Sequence, residues 1–407
     1  MAGAIVLSYI TLGGLSAAIY NEVLQFFVIV ASLLPLTLIG LHRVGGWDGL
    51  TDKVNAAAQN APADAGVAAA SQQLESWPGI ALSGFDSPLF SVIGIVFGLG
   101  FVLSFGYWTT NFVEVQRAMA SDSISAARKT PIIGAFPKMF IPFVVIVPGM
   151  ISAVLVSEMV DLKNGGSPAG GASGEGVAYN DALLLLMRDV LPNGLLGLAI
   201  AGLLAAFMAG MAANISAFNT VFSYDLWQRY IRTDHSDDYY LRIGRLATVG
   251  ATVIAVFTAR IAMGYDNVMD YLQTLFGFFN APLFATFILG MFWKRMTPTA
   301  GWIGLVVGTL SAIAVDRLAA ADVIDLPGQG AAFLAASTAF VVDVVLSIIV
   351  SLVTEPRPVA ELRGLVYSET PREDRTDPDE AAMPWWRRTV PLASIALAMV
   401  IVLNVAF

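Results

Sequence analysis

Long apolar stretches alternate with short polar stretches along almost the whole chain. An α-helix needs about 20 consecutive apolar residues to cross the ~30 Å hydrocarbon core of a bilayer, with a usable range of roughly 17–25. The pattern therefore predicts an all-α integral membrane protein with nine full spans, preceded by half a helix over the first fourteen residues. The predicted spans are 15–41, 91–117, 131–151, 191–230, 246–262, 268–293, 301–319, 331–353 and 390–407.

Composition agrees with this interpretation, because 57% of the 407 residues are hydrophobic and only 13% are charged. The chain has no cysteine, which excludes disulfides and thiol redox chemistry, and its two histidines cannot assemble a histidine-based metal site. No nucleophile or cofactor loop stands out, and nothing suggests nucleic-acid binding. We therefore expect a protein that is not an enzyme, has no cofactor and has the lipid bilayer as its surroundings.

The distribution of positive charge predicts how the chain is oriented in the membrane. Alternating the polar loops places fifteen lysines and arginines on one side and six on the other, with Lys138 inside a span. Cytoplasmic loops carry the excess of positive charge. The segment 354–389 is therefore predicted to be cytoplasmic, and the loops 42–78 and 157–180 and the C-terminus extracytoplasmic, in a multi-pass protein of the cell membrane.

The spans 91–117 and 131–151 carry polar side chains that a lipid-facing helix would avoid. Asn111 lies near the end of the first, Lys138 lies several residues inside the second, and the span 268–293 contains Gln273. A charge near the bilayer centre costs at least ~2.5 kcal/mol, so it is retained mainly where it meets a partner or a water-filled cavity. These side chains are expected to line one polar cavity.

The groups around this cavity favour a neutral, polyhydroxylated ligand. The amide and ammonium groups supply several hydrogen-bond donors and carbonyl acceptors, and Ser104 adds a hydroxyl near the middle of its span. Tyr107 and Trp108 can cover the apolar face of a ring. This inventory suits a sugar better than an inorganic ion.

Each of these side chains also has a structural interpretation. Lys138 can snorkel to the membrane interface, and Asn111 and Gln273 can join helices through hydrogen bonds. Ser104 can be a small packing residue, and the two aromatic residues can pack within the helix bundle. Taken singly, these signals leave both interpretations open.

Six stretches, in the same order, resemble the sodium:solute symporter family, and within it the sodium/glucose cotransporters. They read YITLGGLSAAIYNEVLQ, YWTTNFVEVQRAMAS, KMFIPFVVIVPGM, LLAAFMAGMAANISAFNTVFSYDLWQRYI, DYLQTLFGFFNAP and FILGMFWKR. The resemblance covers nearly the whole chain. It implies a single transmembrane transporter domain with a LeuT-like core of two inverted five-helix repeats, in which interrupted helices hold substrate and ion near the middle of the membrane.

The resemblance also assigns site residues. It implies a sugar-contacting lysine at Lys138, a glutamine at Gln273 and an aromatic pair near the sugar at Tyr107 and Trp108. Where the family pattern has a sugar-contacting asparagine, four residues before the tryptophan, this chain has Ser104. Asn111 lies one turn further along, which leaves either residue as a candidate.

Two departures from the family pattern bear on ion coupling. The family's sodium site takes two neighbouring serine hydroxyls from the helix that corresponds to 191–230, but this chain has Ala209 and Gly210 there, following Ala206. Sodium prefers hard oxygen ligands, so a site without the hydroxyls is expected to be weaker or differently built. The chain also begins at the end of the fourth core helix, which implies a complete second repeat, a mostly missing first repeat and a truncated product.

These observations predict a secondary active transporter that moves a monosaccharide, glucose- or galactose-like, with sodium by alternating access. Sugar and sodium ion are the expected partners, with Ala206, Ala209 and Gly210 lining the ion site. The alternatives are an uncoupled sugar facilitator, a non-transporting sugar sensor on the same fold, or a transporter of another small organic solute.

Overall fold

The computed structural model describes residues 2–59, 94–163, 176–262, 268–321, 323–324 and 330–406, and these residues form helices joined by turns and short connections. The helices, in chain order, are α1 (Ala2–Val44), α2 (Gly46–Gln59), α3 (Gly94–Phe105), α4 (Gly106–Thr110), α5 (Phe112–Met119), α6 (Ile124–Lys138), α7 (Ile141–Leu155), α8 (Ser157–Lys163), α9 (Ala182–Val190), α10 (Asn193–Thr220), α11 (Val221–Ile231), α12 (Asp237–Ala262), α13 (Val268–Leu275), α14 (Phe276–Asn280), α15 (Ala281–Phe292), α16 (Pro298–Ala320), α17 (Gly330–Val353), α18 (Val359–Leu362), α19 (Arg372–Arg375) and α20 (Thr389–Ala406). Three of them, α3, α11 and α14, are wound as π-helices.

Several of these helices are long and apolar enough to cross a membrane, which confirms the predicted class of all-α membrane protein. Within the described residues seven qualify, and the bent pair Val96–Thr110 and Phe112–Met119 would make an eighth. The last helix is apolar over Thr389–Asn404 and shorter than a full crossing. The start of the predicted span 91–117 and much of the two predicted extracytoplasmic loops fall outside the described residues. The nine-span topology and its sidedness therefore stay predictions.

Contacts between helices divide the chain into two compact units. The first comprises Met1–Ala57 and Pro137–Asn267, and the second comprises Ala58–Phe136 and Val268–Phe407. Each unit thus joins two separate segments of the chain, so that some of the helices that pack together are distant in sequence.

The first unit is built on the packing of α1 against α10. Gly202 allows the two backbones to approach closely, because a Cβ atom there would lie 1.7 Å from Ser32 Oγ and 3.6 Å from the carbonyl oxygen of Val28. Small residues commonly permit such approaches between membrane helices. At Gly14 the backbone of α1 adopts φ 60° and ψ −150°, a conformation that glycine adopts without a steric penalty. The predicted boundary between a half helix and the span 15–41 coincides with this break.

Polar contacts join further helices of the first unit. The Asn219 amide of α10 donates to Thr248 Oγ1 of α12 over 3.1 Å, and Gly244 leaves the space that the amide occupies. The Arg43 guanidinium donates to the carbonyl oxygens of Asp189 and Val190 over 2.7 and 3.0 Å. A cation at the C-terminal end of a helix also interacts favourably with the helix dipole. Arg43 therefore ties the end of α1 to the end of α9.

The second unit has an aromatic core between α3, α15 and α17. Phe284 lies 5.2 to 5.8 Å, centroid to centroid, from the rings of Phe101, Phe105 and Phe340. Gly106 lets α4 approach this core, because a Cβ there would lie 2.9 Å from Phe284 Cγ. The tightly packed rings fix the position of α3 and α4 relative to α15, and this position matters for the site described below.

The charged segment 354–389 folds against α6 within the second unit. The Arg128 guanidinium donates to the carbonyl oxygen of Arg375 over 2.5 Å, and the Lys129 ammonium donates to Ser125 Oγ over 2.8 Å. The Arg375 guanidinium in turn lies 4.6 Å from the centroid of the Tyr367 ring, as a cation–π contact. The segment is therefore an ordered part of this unit.

One ion pair outside the apolar helices makes stability depend on pH. Arg188 Nη2 lies 2.7 Å from Glu158 Oε1. The hydrogen bond from Arg188 is the main reason why the pKa of Glu158 falls from 4.5 to about 2. A depressed pKa contributes stability above the unfolded value, and that contribution is lost as the pH falls towards the folded value.

We expect Glu158→Gln to lower the melting midpoint at pH 7, because it removes this ion pair. The free energy of unfolding should fall by at most about 1 kcal/mol, the ceiling for exposed ion pairs. The difference in melting midpoint between this variant and the unmodified protein should shrink as the pH falls from about 5 towards 2. Asp161→Asn, an exposed change on the same helix, is the matched control for thermal melting in detergent. A difference that is constant across this pH range would contradict the assignment.

Candidate functional site

The helix that carries four of the predicted sugar residues is broken at Asn111. Helix α4 ends before Asn111 and α5 begins after it, with a bend of 44° between the two parts. Asn111 is extended, with φ −70° and ψ 115°, and its Oδ1 accepts the N–H of Val113 over 3.0 Å. Asparagine is among the preferred residues for capping a helix N-terminus in this way. The Asn111 oxygen is thus used by the backbone, and a contact of this residue with sugar stays a prediction.

The two faces of this broken helix differ. Gly106 and Thr110 are buried against the rest of the second unit, whereas Ser104 and Trp108 are exposed, with 37% of Trp108 accessible. Residues four apart lie on one face of a helix. Ser104 and Trp108 therefore share a face that points away from the packed core of this unit.

Two contacts join the broken helix to the π-wound α14. The ring of Tyr107 lies 5.0 Å from the ring of Phe276, tilted by 45°. One turn further along each helix, Thr110 Oγ1 donates to Asn280 Oδ1 over 3.0 Å, and both residues are buried. Gln273 lies one turn before Phe276 on the same helical run. The structure therefore brings Tyr107 close to the helical run that carries Gln273, while their common role towards a sugar stays a prediction.

The amides of this helical run have buried polar atoms available for a ligand. Gln273 Oε1, an acceptor, and Asn280 Nδ2, a donor, have no hydrogen-bond partner among the described residues. A buried polar atom without a partner costs roughly 1–3 kcal/mol. Native proteins usually satisfy such atoms with water, an ion or a ligand. The α4–α14 contact thus lies beside one unsatisfied acceptor and one unsatisfied donor.

The remaining predicted sugar residue, Lys138, belongs to the other compact unit. Lys138 is the last residue of α6, is exposed, and belongs to the first compact unit. The chain turns at Met139 and Phe140 before α7 begins at Ile141. The helix is therefore interrupted just after the lysine, and its role towards a sugar stays a prediction.

The predicted ion residues lie together on α10 of the first unit. Ala206 and Gly210 are exposed and Ala209 is partly buried. The carbonyl oxygen of Gly210 accepts the Asn214 amide over 2.8 Å, and a Cβ atom added at Gly210 would meet open space. The positions that lack the family's hydroxyls thus have room for a side chain at Gly210.

Two buried polar features, the Thr110–Asn280 pair and Asp343, had no site role predicted from the sequence. The pairing of Thr110 with Asn280 depends on the relative register of helices 170 residues apart. Asp343 is fully buried within the apolar helix α17, where it meets Thr286 and Ser347. A single acid inside a long apolar span was the signal that could have drawn attention to it.

These features define a multi-pass membrane protein with an interrupted helix and partly unsatisfied intramembrane amides. The model of the sodium:solute symporter family matches residues 1–308, and the chain belongs to this family. Membership of a symporter family rather than an enzyme family confirms the expectation that the protein is not an enzyme.

Curated relatives agree with the branch that the sequence motifs indicated. The chain is 30% identical over 302 residues to a sodium/glucose cotransporter of Vibrio parahaemolyticus, with 74% of this chain and 53% of that protein covered. It is 29% identical to sodium/myo-inositol cotransporter 2 of Sus scrofa, covering 75% and 45%, and 27% identical to sodium/glucose cotransporter 4 of Danio rerio, covering 95% and 63%. The chain thus spans about half the length of the curated relatives it matches.

A solved structure confirms the fold class. The structure of a Na+-coupled sialic acid symporter in a substrate-bound outward-open state matches with a TM-score of 0.64 at 21% identity, covering 87% of this chain and 66% of that one. This similarity supports the LeuT-like transporter fold predicted from the motifs. The completeness of the two repeats stays a prediction.

We expect Thr110→Val to destabilise the protein, because it keeps the shape of the side chain while removing the hydroxyl that meets Asn280. Leaving the buried amide without this partner should cost roughly 1–3 kcal/mol of unfolding free energy. Thr109→Val is the matched control, because Thr109 is exposed and its hydroxyl meets only carbonyl oxygens of its own helical run. Equal melting midpoints for the two variants would show that the Thr110–Asn280 contact is not formed.

Proposed function

We propose that the protein is a sodium-coupled symporter of a monosaccharide or a similar neutral polyol. The observation that carries this proposal is the pair of unsatisfied buried amide atoms, Gln273 Oε1 and Asn280 Nδ2, beside the Tyr107–Phe276 ring contact. One acceptor, one donor and adjacent aromatic rings match a ring that has hydroxyls on its edge and an apolar face. Family membership and the sodium/glucose and sodium/myo-inositol cotransporters among the relatives support the same substrate class.

In this proposal, different residues contact different parts of the sugar. Gln273 Oε1 accepts a hydrogen bond from a sugar hydroxyl, and Tyr107 and Trp108 cover the ring. Ser104 or the amide nitrogen of Asn111 supplies a further contact. The contact of Lys138, which belongs to the first unit, with a sugar hydroxyl is a separate prediction from the family pattern. The amide, hydroxyl and aromatic groups of this set suit the hydroxyls and the apolar ring face of a neutral polyol.

The transport cycle we propose uses alternating access. Interrupted helices place unsatisfied backbone groups at the substrate, and one half of the structure rocks against the other around the site. The break at Asn111, the π-wound α14 and the turn after Lys138 all adjoin proposed sugar residues. The fifteen-charge side of the protein would be cytoplasmic and the C-terminus extracytoplasmic.

Sodium is the coupling ion in this proposal, with Ala206, Ala209 and Gly210 of α10 lining its site. Without the two hydroxyls, backbone carbonyls must supply more of the ligands, and the Gly210 carbonyl already accepts the Asn214 amide. This observation is the reason for a second candidate function, an uncoupled sugar facilitator on the same fold. Sodium dependence of uptake separates the two.

We expect Gln273→Ala to raise the KM for sugar uptake by about tenfold or more, because one hydrogen bond to a hydroxyl is lost and about 1.4 kcal/mol corresponds to a factor of ten. The protein in liposomes, supplied with radiolabelled glucose or galactose, is the system for this measurement. Gln228→Ala makes the same chemical change on α11 and should leave KM unaltered. A Gln273→Ala variant with unchanged uptake kinetics would remove Gln273 from the site.

Restoring the missing hydroxyls tests the ion site. The double change Ala209→Ser with Gly210→Ser adds two hard oxygens where Gly210 has open space, so the sodium concentration for half-maximal uptake should fall several-fold. Gly197→Ser, also on α10 with open space around it, is the control. If the double variant responds to sodium like the control, these positions do not line the ion site.

A further inference from the structure

Asp343 is a buried acid that the proposed transport mechanism does not use. It lies on α17, is 0% exposed, and faces α15 and α16. Its Oδ2 is 2.9 Å from Thr286 Oγ1, and its Oδ1 is 2.8 Å from Ser347 Oγ. An ionisable side chain inside a membrane span is costly and therefore points to a function.

The carboxyl group is the centre of a short chain of oxygens. Beyond it on one side, Thr286 Oγ1 is 3.5 Å from the carbonyl oxygen of Gly301. On the other side, Ser347 Oγ is 3.3 Å from the carbonyl oxygen of Ala300. If the carboxyl group is ionised, only the two hydroxyl protons are available for these four contacts. A protonated carboxyl group adds a third proton. The protonated form therefore satisfies more of the chain.

Among the described residues, no basic side chain pairs with Asp343. Helices α3, α14, α15 and α17 carry no other ionisable side chain. The ionisable residues of the other neighbouring elements and of the connection between α15 and α16 are Tyr107, Asp270, Tyr271, Lys294, Arg295, Asp316 and Arg317. In the described part of the chain, the polar contacts of Asp343 are those to the two hydroxyls.

The four basic and acidic residues of α16 and of the connection before it have contacts with groups other than Asp343. Lys294 lies 4.0 Å from Glu369, Arg295 donates to the carbonyl oxygen of Leu352 over 3.2 Å, and Arg317 lies 3.5 Å from Asp316. Asp316 follows Gly304 by 12 residues, which corresponds to about 18 Å along a helix. An isolated buried carboxylate is strongly disfavoured.

The packing around Asp343 leaves no room for a side chain at the two glycines of α16 that face it. A Cβ at Gly304 would lie 2.3 Å from Asp343 Oδ1 and 2.2 Å from Ser347 Oγ, and one at Gly308 would lie 3.2 Å from Asp343 Cβ. The oxygen pairs at 2.8 and 2.9 Å have the spacing of hydrogen bonds. A bound metal cation would have to separate them, whereas a proton fits between them.

We propose that Asp343 is an intramembrane proton-binding site. Its neutral carboxyl group forms hydrogen bonds with Thr286 of α15 and Ser347 of α17, and these two hydroxyls contact backbone carbonyl oxygens of α16. The ligand is a single proton, held at neutral pH. Its release would leave a buried negative charge at the junction of three helices. The proposal concerns these three helices alone and does not depend on the substrate or on sodium coupling.

Infrared difference spectroscopy of the full chain in liposomes tests this proposal. The carbonyl-stretch band of a protonated carboxylic acid, which carboxylates lack, should be present in the unmodified protein at pH 7 and lost in Asp343→Asn. Replacing sodium by choline should leave the band unchanged. A spectrum without this Asp343-dependent band would show an ionised carboxylate, and a band that disappears on adding sodium would show a cation site, so either result overturns the proposal.

Two hydroxyl variants keep the test decisive if Asp343→Asn does not fold. Ser347→Ala and Thr286→Val should each shift the frequency of the carboxyl band, because each removes a direct partner of the carboxyl group. Ser351→Ala is the control: Ser351 is equally buried one turn further along and contacts Thr297 and Met296 instead. A band that neither hydroxyl variant moves, or that Ser351→Ala moves equally, overturns the assignment.

Discussion

The constraint on which this structure depends is that polar groups within a bilayer must find partners inside the protein. Most side-chain hydroxyls of the long helices meet it locally, by donating to a carbonyl oxygen three or four residues earlier, as Thr37 does to Leu33. Others meet it between helices, as Thr110 does with Asn280 and Asn219 with Thr248. Against this background, an intramembrane amide atom without a partner is informative. Gln273 Oε1 and Asn280 Nδ2 are such atoms, and they lie where an aromatic contact joins two interrupted helices.

The same constraint explains why glycine occupies three of the close helix contacts. At Gly202, Gly106 and Gly304, a side chain would collide with a neighbouring helix at distances from 1.7 to 2.9 Å. In lipid, close packing and hydrogen bonding hold helices together in place of the hydrophobic effect. The glycines allow the backbone of one helix to reach a hydroxyl, a ring or a carboxyl group of the next. Interruptions such as the one at Asn111 then cost little, because a capping side chain takes over the lost backbone contacts.

Much of the fold could be predicted from the sequence, because hydrophobic length and family motifs both report on it directly. The helical membrane architecture and the symporter family both follow from such patterns. The pairing of Thr110 with Asn280 and the cluster around Asp343 could not be predicted, since both depend on the register of helices distant in sequence. Asn111 shows a related limit: the residue was identified, but its capping role became visible only with the break in the helix.

The central claim is that the protein couples sugar movement to sodium. The most direct test is accumulation of radiolabelled glucose or galactose in liposomes that contain the protein, under an inward sodium gradient and under an equal choline gradient. We expect transient accumulation above the external concentration with sodium and only slow equilibration with choline. Equal uptake under the two gradients would contradict sodium coupling, and no uptake of either sugar in excess of empty liposomes would contradict the proposed substrate class.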